Sequence, residues 1–330
     1  MMPLTIATVG HAASLDVYSG SLIMIDSDNH ATLRIPSPDQ FQDHSGDTSY
    51  GRSYFKGWAG YIDTWQVPSG NVTNTHLMYM KDVTDAYYIE CWDSGIKEFS
   101  CIDDVGLRSF DVRNNQIRKL ILKNAPNLLR FAANSNLITE MDLSTINPSW
   151  QGIYLGSNYL TTLNVTSSGI QDGEFSCNLN QLTSLTFTGS GAGPWNPWNL
   201  NCANNKLTSL DLSIPTKMHE LDCSNNPLGT LNVSMLPSLD ALNCNSCSLT
   251  SLNIENTKLA NINCDDNLLN VSNIDSILLA LSQSLVNYGN ATMSGSYMAA
   301  PSVGTGVPLR NYLTSRRWYI RDITGEWQQP

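Results

Sequence analysis

One repeating pattern runs through most of this 330-residue chain and restricts what it can fold into. Stretches beginning at Leu200, Leu221 and Leu242 follow L-x-C-x-x-N-x-L-x-x-L-x-L or a close variant of it. The third residue of the pattern defines a column that recurs at spacings of 20 to 25 residues. The column consists of Cys91, Val112, Ala133, Leu155, Cys177, Cys202, Cys223, Cys244 and Cys264. Nine recurrences at nearly one period predict a solenoid, in which each repeat forms one rung stacked on the next.

A second column follows three residues after the first and is mostly asparagine. It consists of Asn115, Asn136, Asn158, Asn180, Asn205, Asn226 and Asn267, with Ser94 and Cys247 at the two other positions. A short strand would point alternate apolar side chains inward, and an inward Asn can hydrogen-bond the main chain of the turn that follows. The pattern matches the leucine-rich-repeat signature. We therefore predict an α/β-type repeat solenoid with one parallel sheet, about 40 Å long for nine rungs, and an irregular convex side.

The cysteines have a structural explanation within this repeat. Six of the eight stand in the first column, where Cys acts as a small hydrophobic side chain, and Cys101 falls in the second apolar triplet of its rung. We predict reduced, structural thiols at Cys91, Cys177, Cys202, Cys223, Cys244 and Cys264, with disulfides or a metal site as the alternative. Cys244 and Cys247 have the C-x-x-C spacing of zinc ligands, but the sequence contains no second pair that would complete a four-ligand zinc site.

The repeat divides the chain into three predicted segments. Residues 1–85 lack the repeat and show short alternating stretches at 21–25, 31–35, 61–67 and 76–80, which predicts a small β-rich domain. Its aromatic residues form either its core or an interface anchor. The solenoid covers 86–270. Residues 271–330 predict an α+β cap, with a helix from near Ser272, a strand at 290–294, a short helix at 309–314 and a strand at 318–320.

Two resemblances follow from these motifs. The repeat resembles internalin-type and related bacterial leucine-rich repeats over about residues 86–270. The tail resembles the C-terminal cap of leucine-rich-repeat proteins of bacteriophages and prophages, through SILLAL at 276–281, NATMSG at 290–295 and LTSRRW at 313–318. That family usually has Gly before the tryptophan, where this chain has Arg317. The resemblance implies a virion component, tail-associated or otherwise, or a surface adhesin.

Composition and motifs argue against several functions. The formal net charge of −11 opposes nucleic-acid binding, and no apolar run reaches the length of a membrane helix. The five histidines are scattered and form no metal-binding or catalytic pattern. We expect no enzyme activity, no cofactor, no metal and no membrane insertion.

Candidate binding residues lie on the strands, on the concave side. They are Tyr88, Trp92, Arg113, Arg130 and Tyr154 in the first rungs, and Asn201, Asp222, Asn243, Asn245 and Asn263 in later ones. Such a face can bind sugars or a protein anchor, or its residues can simply pack across the strands. The 25-residue spacing before Cys202 also predicts an inserted loop carrying Trp195 and Trp198, which either contacts a partner or covers the solenoid.

The sequence thus predicts a non-catalytic structural or binding protein of a bacteriophage virion, tail- or baseplate-associated. The first segment would dock to other virion proteins, making the chain multimeric on the particle, and the solenoid would attach to a protein or a host-surface glycan. Unpaired cysteines fit assembly in the reducing host cytoplasm. An internalin-like adhesin on the bacterial surface or secreted is the first alternative, a capsid decoration protein the second, and a carbohydrate-active enzyme the third.

Overall fold

The structure is a computed structural model that describes 21–25, 52–56, 65–66, 76–81, 88–92, 96–102, 108–123, 125, 127–143, 152–166, 173–188, 198–213, 217–284 and 286–327. Up to residue 102 it describes the side chain of Phe99 alone. The described part of the chain is a parallel β-solenoid with few helices. The longer of its two described helices has 13 residues, and no described helix is long and apolar enough to cross a membrane.

The described elements are, in chain order, β1 (Ser21–Ile25), β2 (Arg52–Lys56), β3 (Trp65–Gln66), β4 (His76–Lys81), β5 (Tyr88–Trp92), β6 (Ile96–Ile102), β7 (Ser109–Asp111), β8 (Lys119–Lys123), β9 (Arg130–Ala132), β10 (Gly152–Tyr154), β11 (Thr162–Thr166), β12 (Glu174–Ser176), β13 (Ser184–Thr188), β14 (Asn199–Asn201), β15 (Glu220–Asp222), β16 (Thr230–Asn232), β17 (Ala241–Asn243), β18 (Ser251–Asn253), β19 (Asn261–Asn263), α1 (Val271–Gln283), β20 (Gly289–Met293), α2 (Gly306–Ser315), β21 (Trp318–Asp322) and β22 (Gly325–Trp327).

The predicted parallel sheet is confirmed. β5, β7, β9, β10, β12, β14, β15, β17 and β19 pair in parallel, each in register with the next, so the column residues of successive rungs lie side by side. We call this the main sheet. It continues in parallel through β20 and β21, and β22 adds an antiparallel edge strand. The convex side has shorter parallel ladders, such as β11 with β13 and β16 with β18.

Strands from the first segment join the same sheets. β2 pairs antiparallel with β5 in the main sheet, and β3 pairs with β2. β4 pairs in parallel with β6 on the convex side, and β1 pairs antiparallel with β4. The stretch 31–35 and most of 61–67 lie outside the described residues. The boundaries after 85 and 270 stay predictions.

Each rung turns out of its main-sheet strand in the same way. The residue two after the column adopts a left-handed conformation, with φ between 53° and 57°, at Asn114, Ser135, Ser157, Leu179, Asn204, Asn225, Ser246 and Asp266. Its N–H donates to the next rung, as from Asn204 to the Ser224 carbonyl at 2.8 Å. Asn tolerates this conformation and Ser is small, whereas a bulky residue such as Leu179 is strained there.

The asparagine after that residue holds the rungs together. All seven members of the Asn column are buried. Asn226 shows the pattern: its Nδ2 donates to the carbonyls of Cys223 and Cys202, both at 3.0 Å, and its Oδ1 accepts from the Leu207 N–H at 3.0 Å. Each such amide therefore satisfies main-chain groups of two rungs, which are buried away from water and costly to leave unpaired.

The interior is one apolar cluster that extends from Phe99 to Ile320. The column residues from Val112 to Cys264 lie within it. The cysteines whose side chains the structure describes are free thiols and buried: Cys177, Cys202, Cys223, Cys244, Cys247 and Cys264. At the far end, Asp322 is in register with Met293, the residue of β20 that continues the column, and it forms a buried ion pair with Arg310 of α2, Nη1 to Oδ2 at 2.9 Å.

Candidate functional site

The outward side of the main sheet, which we call the strand face, is built by alternation. In β14 and β15 the middle residues Leu200 and Leu221 are buried, while the residues on either side are half-buried. Since strand residues alternate between the two faces of a sheet, the residues one and three before the column lie on this outward side. They are exposed or half-buried from β12 onward, whereas Ser109, Asp111, Ala132 and Gly152 in the earlier rungs are buried. Residues that are about 20 apart in the chain therefore become neighbours along the solenoid.

Two of the predicted site residues, Arg113 and Arg130, form ion pairs with Asp111, an acid that was not among the residues predicted from the sequence. Arg113 Nε lies 3.3 Å and Arg130 Nη1 lies 3.2 Å from Oδ2 of Asp111, whose side chain is 2% exposed. Asp111 stands one residue before the column, at a position that faces outward in every rung. This offset from the column was the sequence signal that could have identified Asp111 as a residue of this face. The two arginines thus balance a nearly buried carboxylate, and the pairing holds β7 to β9.

The Tyr154 ring lies on the strand face directly over Gly152 of the same strand. A Cβ on Gly152 would stand 2.7 Å from Tyr154 Cε2, so a side chain there would displace the ring. Arg130 Cζ lies 5.5 Å from the ring centroid, and the hydroxyl donates to Glu174 Oε2 at 2.9 Å. Partial burial raises the pKa of Tyr154, and the hydrogen bond to the Glu174 carboxylate raises it further. The ring therefore links three successive rungs.

Trp198, which the 25-residue spacing places in an inserted loop, lies in a bend at the start of its rung. It immediately precedes β14, and its N–H donates to the Gly173 carbonyl of the preceding rung at 2.8 Å. Trp198 stands four residues before Cys202, as the equivalent residues of other rungs stand before their column residue. The extra residues of the 25-residue spacing therefore precede Trp198 in the sequence. The side chain is 45% exposed. Trp195 lies outside the described residues.

Two further residues line up with Trp198 along the edge where the strands begin, which we call the entry edge. The His219 ring stacks on the indole with centroids 5.3 Å apart and planes inclined by 18°. His219 Nδ1 lies 3.1 Å from Asp240 Oδ2. The sequence reading missed both, although His219 precedes Cys223, and Asp240 precedes Cys244, by the same four residues. Next to them, Asn199 Nδ2 donates to Glu220 Oε2 at 2.8 Å.

The predicted site residues of the later rungs stabilise the turns that follow their strands. Oδ1 of Asn201 accepts from the Ala203 N–H at 3.2 Å, and Asn263 accepts likewise from Asp265 at 3.1 Å. Asp222 receives both the N–H and the hydroxyl of Ser224. These contacts span two residues and close the turn at the end of each strand. Asn243 makes a longer contact of the same kind to Asn245.

Tyr88 and Trp92 lie at the two ends of β5. Their side chains lie outside the described residues, as does that of Cys91, so their place in a binding site stays a prediction.

The burial of the column explains its chemistry. Desolvation raises the pKa of Cys177, Cys202, Cys244 and Cys264, since a thiolate would lose its hydration inside the apolar interior. Among the described residues no group of three or more His, Cys, Asp or Glu is placed to hold a metal ion. The strand face and the entry edge instead offer the exposed Trp198 ring, the half-buried Tyr154 ring, and accessible carboxylates and amides, which are groups suited to noncovalent recognition.

No family model matches this chain, and no curated protein matches its sequence. The solved structures that it resembles include one described as the functional domain of InlJ from Listeria monocytogenes, which includes a cysteine ladder. The two chains are 18% identical, with a TM-score of 0.40, and the match covers 71% of this chain. The chain spans 59% of the length of that structure.

Proposed function

We propose that this chain is a non-catalytic binding protein that attaches to a partner through the strand face of its solenoid and the entry edge beside it. The observation that carries the proposal is Trp198, which is 45% exposed, stacked on His219, and bordered by polar groups. Aromatic side chains of this kind are enriched among the anchors of protein interfaces, because one ring removes much apolar surface from water with little loss of conformational freedom.

The setting we propose is a bacteriophage virion, at the tail or baseplate. Support comes from the motifs of the last segment, which resemble the cap of phage leucine-rich-repeat proteins, and from buried free cysteines, which suit assembly in a reducing cytoplasm. In this setting the first segment docks to other virion proteins. A surface adhesin uses the same strand face and is the second candidate, favoured by the resemblance of the repeat to internalin-type repeats.

The strand face is tested with the fluorescently labelled full chain, added separately to virus particles and to cells from the source culture. We expect Trp198→Ala to lower attachment about tenfold, the loss typical of an interface anchor. Tyr159→Ala is the matched control, because Tyr159 is 47% exposed and follows the Asn158 turn, away from the strand face. Equal attachment by the two variants would refute a binding role for this face.

Immunogold electron microscopy with an antibody against the full chain separates the settings. Gold at the tails of particles is the expected result. Gold on cell envelopes beside bare particles would favour the adhesin, and gold on capsids would favour a decoration protein.

A further inference from the structure

We infer that the strand face recognises a basic segment of a protein partner, with a Lys or Arg side chain held against Trp198. This inference rests on the proposed function and names its partner class. It concerns four carboxylates that we call the acidic patch: Glu174, Glu220, Asp222 and Asp240.

The charges of the strand face change along the solenoid. The early rungs carry Arg113 and Arg130, and both pair with Asp111. The acidic patch occupies β12, β15 and the entry of β17. On these rungs, from 173 to 178, 198 to 203, 219 to 224 and 240 to 245, the sequence contains no Lys or Arg. A partner that covers this part of the face therefore meets negative charge.

The acidic patch differs from the other acids of the main sheet in its partners. Asp111, Asp265 and Asp322 each form an ion pair with arginine. Glu174 instead accepts from the Tyr154 hydroxyl, Glu220 from the Asn199 amide, and Asp222 from Ser224, while Asp240 lies 3.1 Å from Nδ1 of His219. The hydroxyl and amide donors of Glu174, Glu220 and Asp222 are neutral groups, so they orient these three carboxylates without neutralising them. Elsewhere on the main sheet, arginines of the same chain neutralise the acids. In the acidic patch, the neutralising positive charge would come from a partner.

Trp198 supplies a place for the cation. His219 stacks on one face of the indole, on the side of the following rung. Trp198 is 45% exposed, and on the side of the preceding rung its N–H donates to the carbonyl of Gly173, a residue without a side chain. Glu174 follows Gly173 and is in register with Asn199, the residue after Trp198. An ammonium or guanidinium group on this side of the indole would have both a π face and a carboxylate beside it.

The test uses the full chain and a fluorescein-labelled hexalysine peptide, with the dissociation constant measured by fluorescence anisotropy at low and at physiological salt. The variants are Trp198→Ala and the double variant Glu174→Gln with Glu220→Gln. Glutamine keeps an acceptor for Tyr154 and Asn199 while it removes the charge. The matched control is Glu140→Gln with Glu255→Gln, two exposed acids that lie off the strand face. Both double variants change the net charge equally.

We expect Trp198→Ala and the patch double variant each to weaken hexalysine binding about tenfold, and the control double variant less than twofold. Equal weakening by the two double variants would overturn the inference, because net charge alone would then explain binding. A chain that binds neutral oligosaccharides through Trp198 and does not bind hexalysine would also overturn it.

If Trp198→Ala still abolishes attachment to particles or cells in that case, the proposed function stands and the inference of a basic partner fails. If Trp198→Ala leaves attachment unchanged, the proposed function itself fails.

Discussion

The thiol of Cys247 donates to the main-chain carbonyl of Cys223 at 3.1 Å, in the place where neighbouring rungs use an asparagine amide. A thiol has one proton to donate and is a weak acceptor, and the N–H of Leu228 bonds to the Asn226 carbonyl at 2.8 Å rather than to the sulfur. The same turn has a second left-handed residue, Ser248, with φ of 55°. This rung is therefore held less completely than its neighbours.

Cys247→Asn is expected to raise the free energy of unfolding by about 1 kcal/mol, because it restores an acceptor and a second donor to the Asn column. Urea denaturation followed by circular dichroism measures the change. Cys244→Asn is the contrasting variant: it places an amide in the apolar column and should cost about 3 kcal/mol. A stability unchanged by Cys247→Asn would mean that the turn is satisfied by its own main chain.

Asn226→Ala is expected to lower the free energy of unfolding by about 2 kcal/mol, because it leaves the buried N–H of Leu207 without its acceptor and removes one of two donors from each of the carbonyls of Cys202 and Cys223. Asn232→Ala serves as the control. Asn232 is exposed and accepts from the N–H of Ser234, so its loss should cost about 0.5 kcal/mol. Similar losses at the two positions in urea denaturation would contradict the role given to the Asn column.

Leu179→Asn is expected to stabilise the chain by about 1 kcal/mol. Leu179 has φ of 54°, which a leucine adopts at a cost, and its side chain is 51% exposed, so little buried surface is lost. The reverse change, Ser157→Leu, is made at the same position of the preceding rung and should destabilise by a similar amount. Thermal unfolding of the pair gives the answer; the same sign for both variants would rule out backbone strain as the cause.

Arg317→Gly is expected to stabilise by about 0.5 kcal/mol. Arg317 follows α2 with φ of 64°, a conformation that suits glycine after a helix, as in the family that the tail resembles. The change also removes the contact of Arg317 Cζ with the Tyr288 ring, 5.6 Å from its centroid. Tyr288→Ala removes the same contact and keeps the strain. Calorimetry should show a higher melting temperature for Arg317→Gly than for Tyr288→Ala.

Stability should fall steeply above about pH 8.5. Burial raises the pKa of Cys177, Cys202, Cys244 and Cys264, so these thiols ionise in the unfolded chain first. Their contribution is fully present below the unfolded pKa and is lost as pH rises toward the folded pKa. Between pH 8.5 and 9.5 each thiol should cost roughly 1 kcal/mol.

Urea midpoints across that pH interval measure this loss. The double variant Cys202→Ala with Cys244→Ala follows the precedent of Ala133 in the column. It should remove roughly 2 kcal/mol of the loss between pH 8.5 and 9.5, whatever its stability at pH 7. A dependence equal to that of the original chain would assign the effect to other groups.

The repeat and its two columns were readable from the sequence because every rung meets the same local requirements. Cys202 must fit a narrow interior, and Asn205 must satisfy a buried turn, so the residue types recur at one period. The α1 helix was readable for a similar reason: Asn270 caps it, and the apolar residues Ile274, Ile277, Leu278 and Leu281 follow at helical spacing. Such patterns arise within about 20 residues of chain.

Tertiary structure alone decided which side chains meet across the rungs. Tyr154 reaches Glu174 because Gly152 leaves room for its ring, and Arg130 pairs with Asp111 of the neighbouring rung. Trp198 joins His219 because the inserted residues fall before the strand and not after it. Each contact joins residues of different rungs, and depends on strand register, the place of an insertion and the space left by a neighbour. The period specifies the scaffold, whereas the packing between rungs determines the surface it presents.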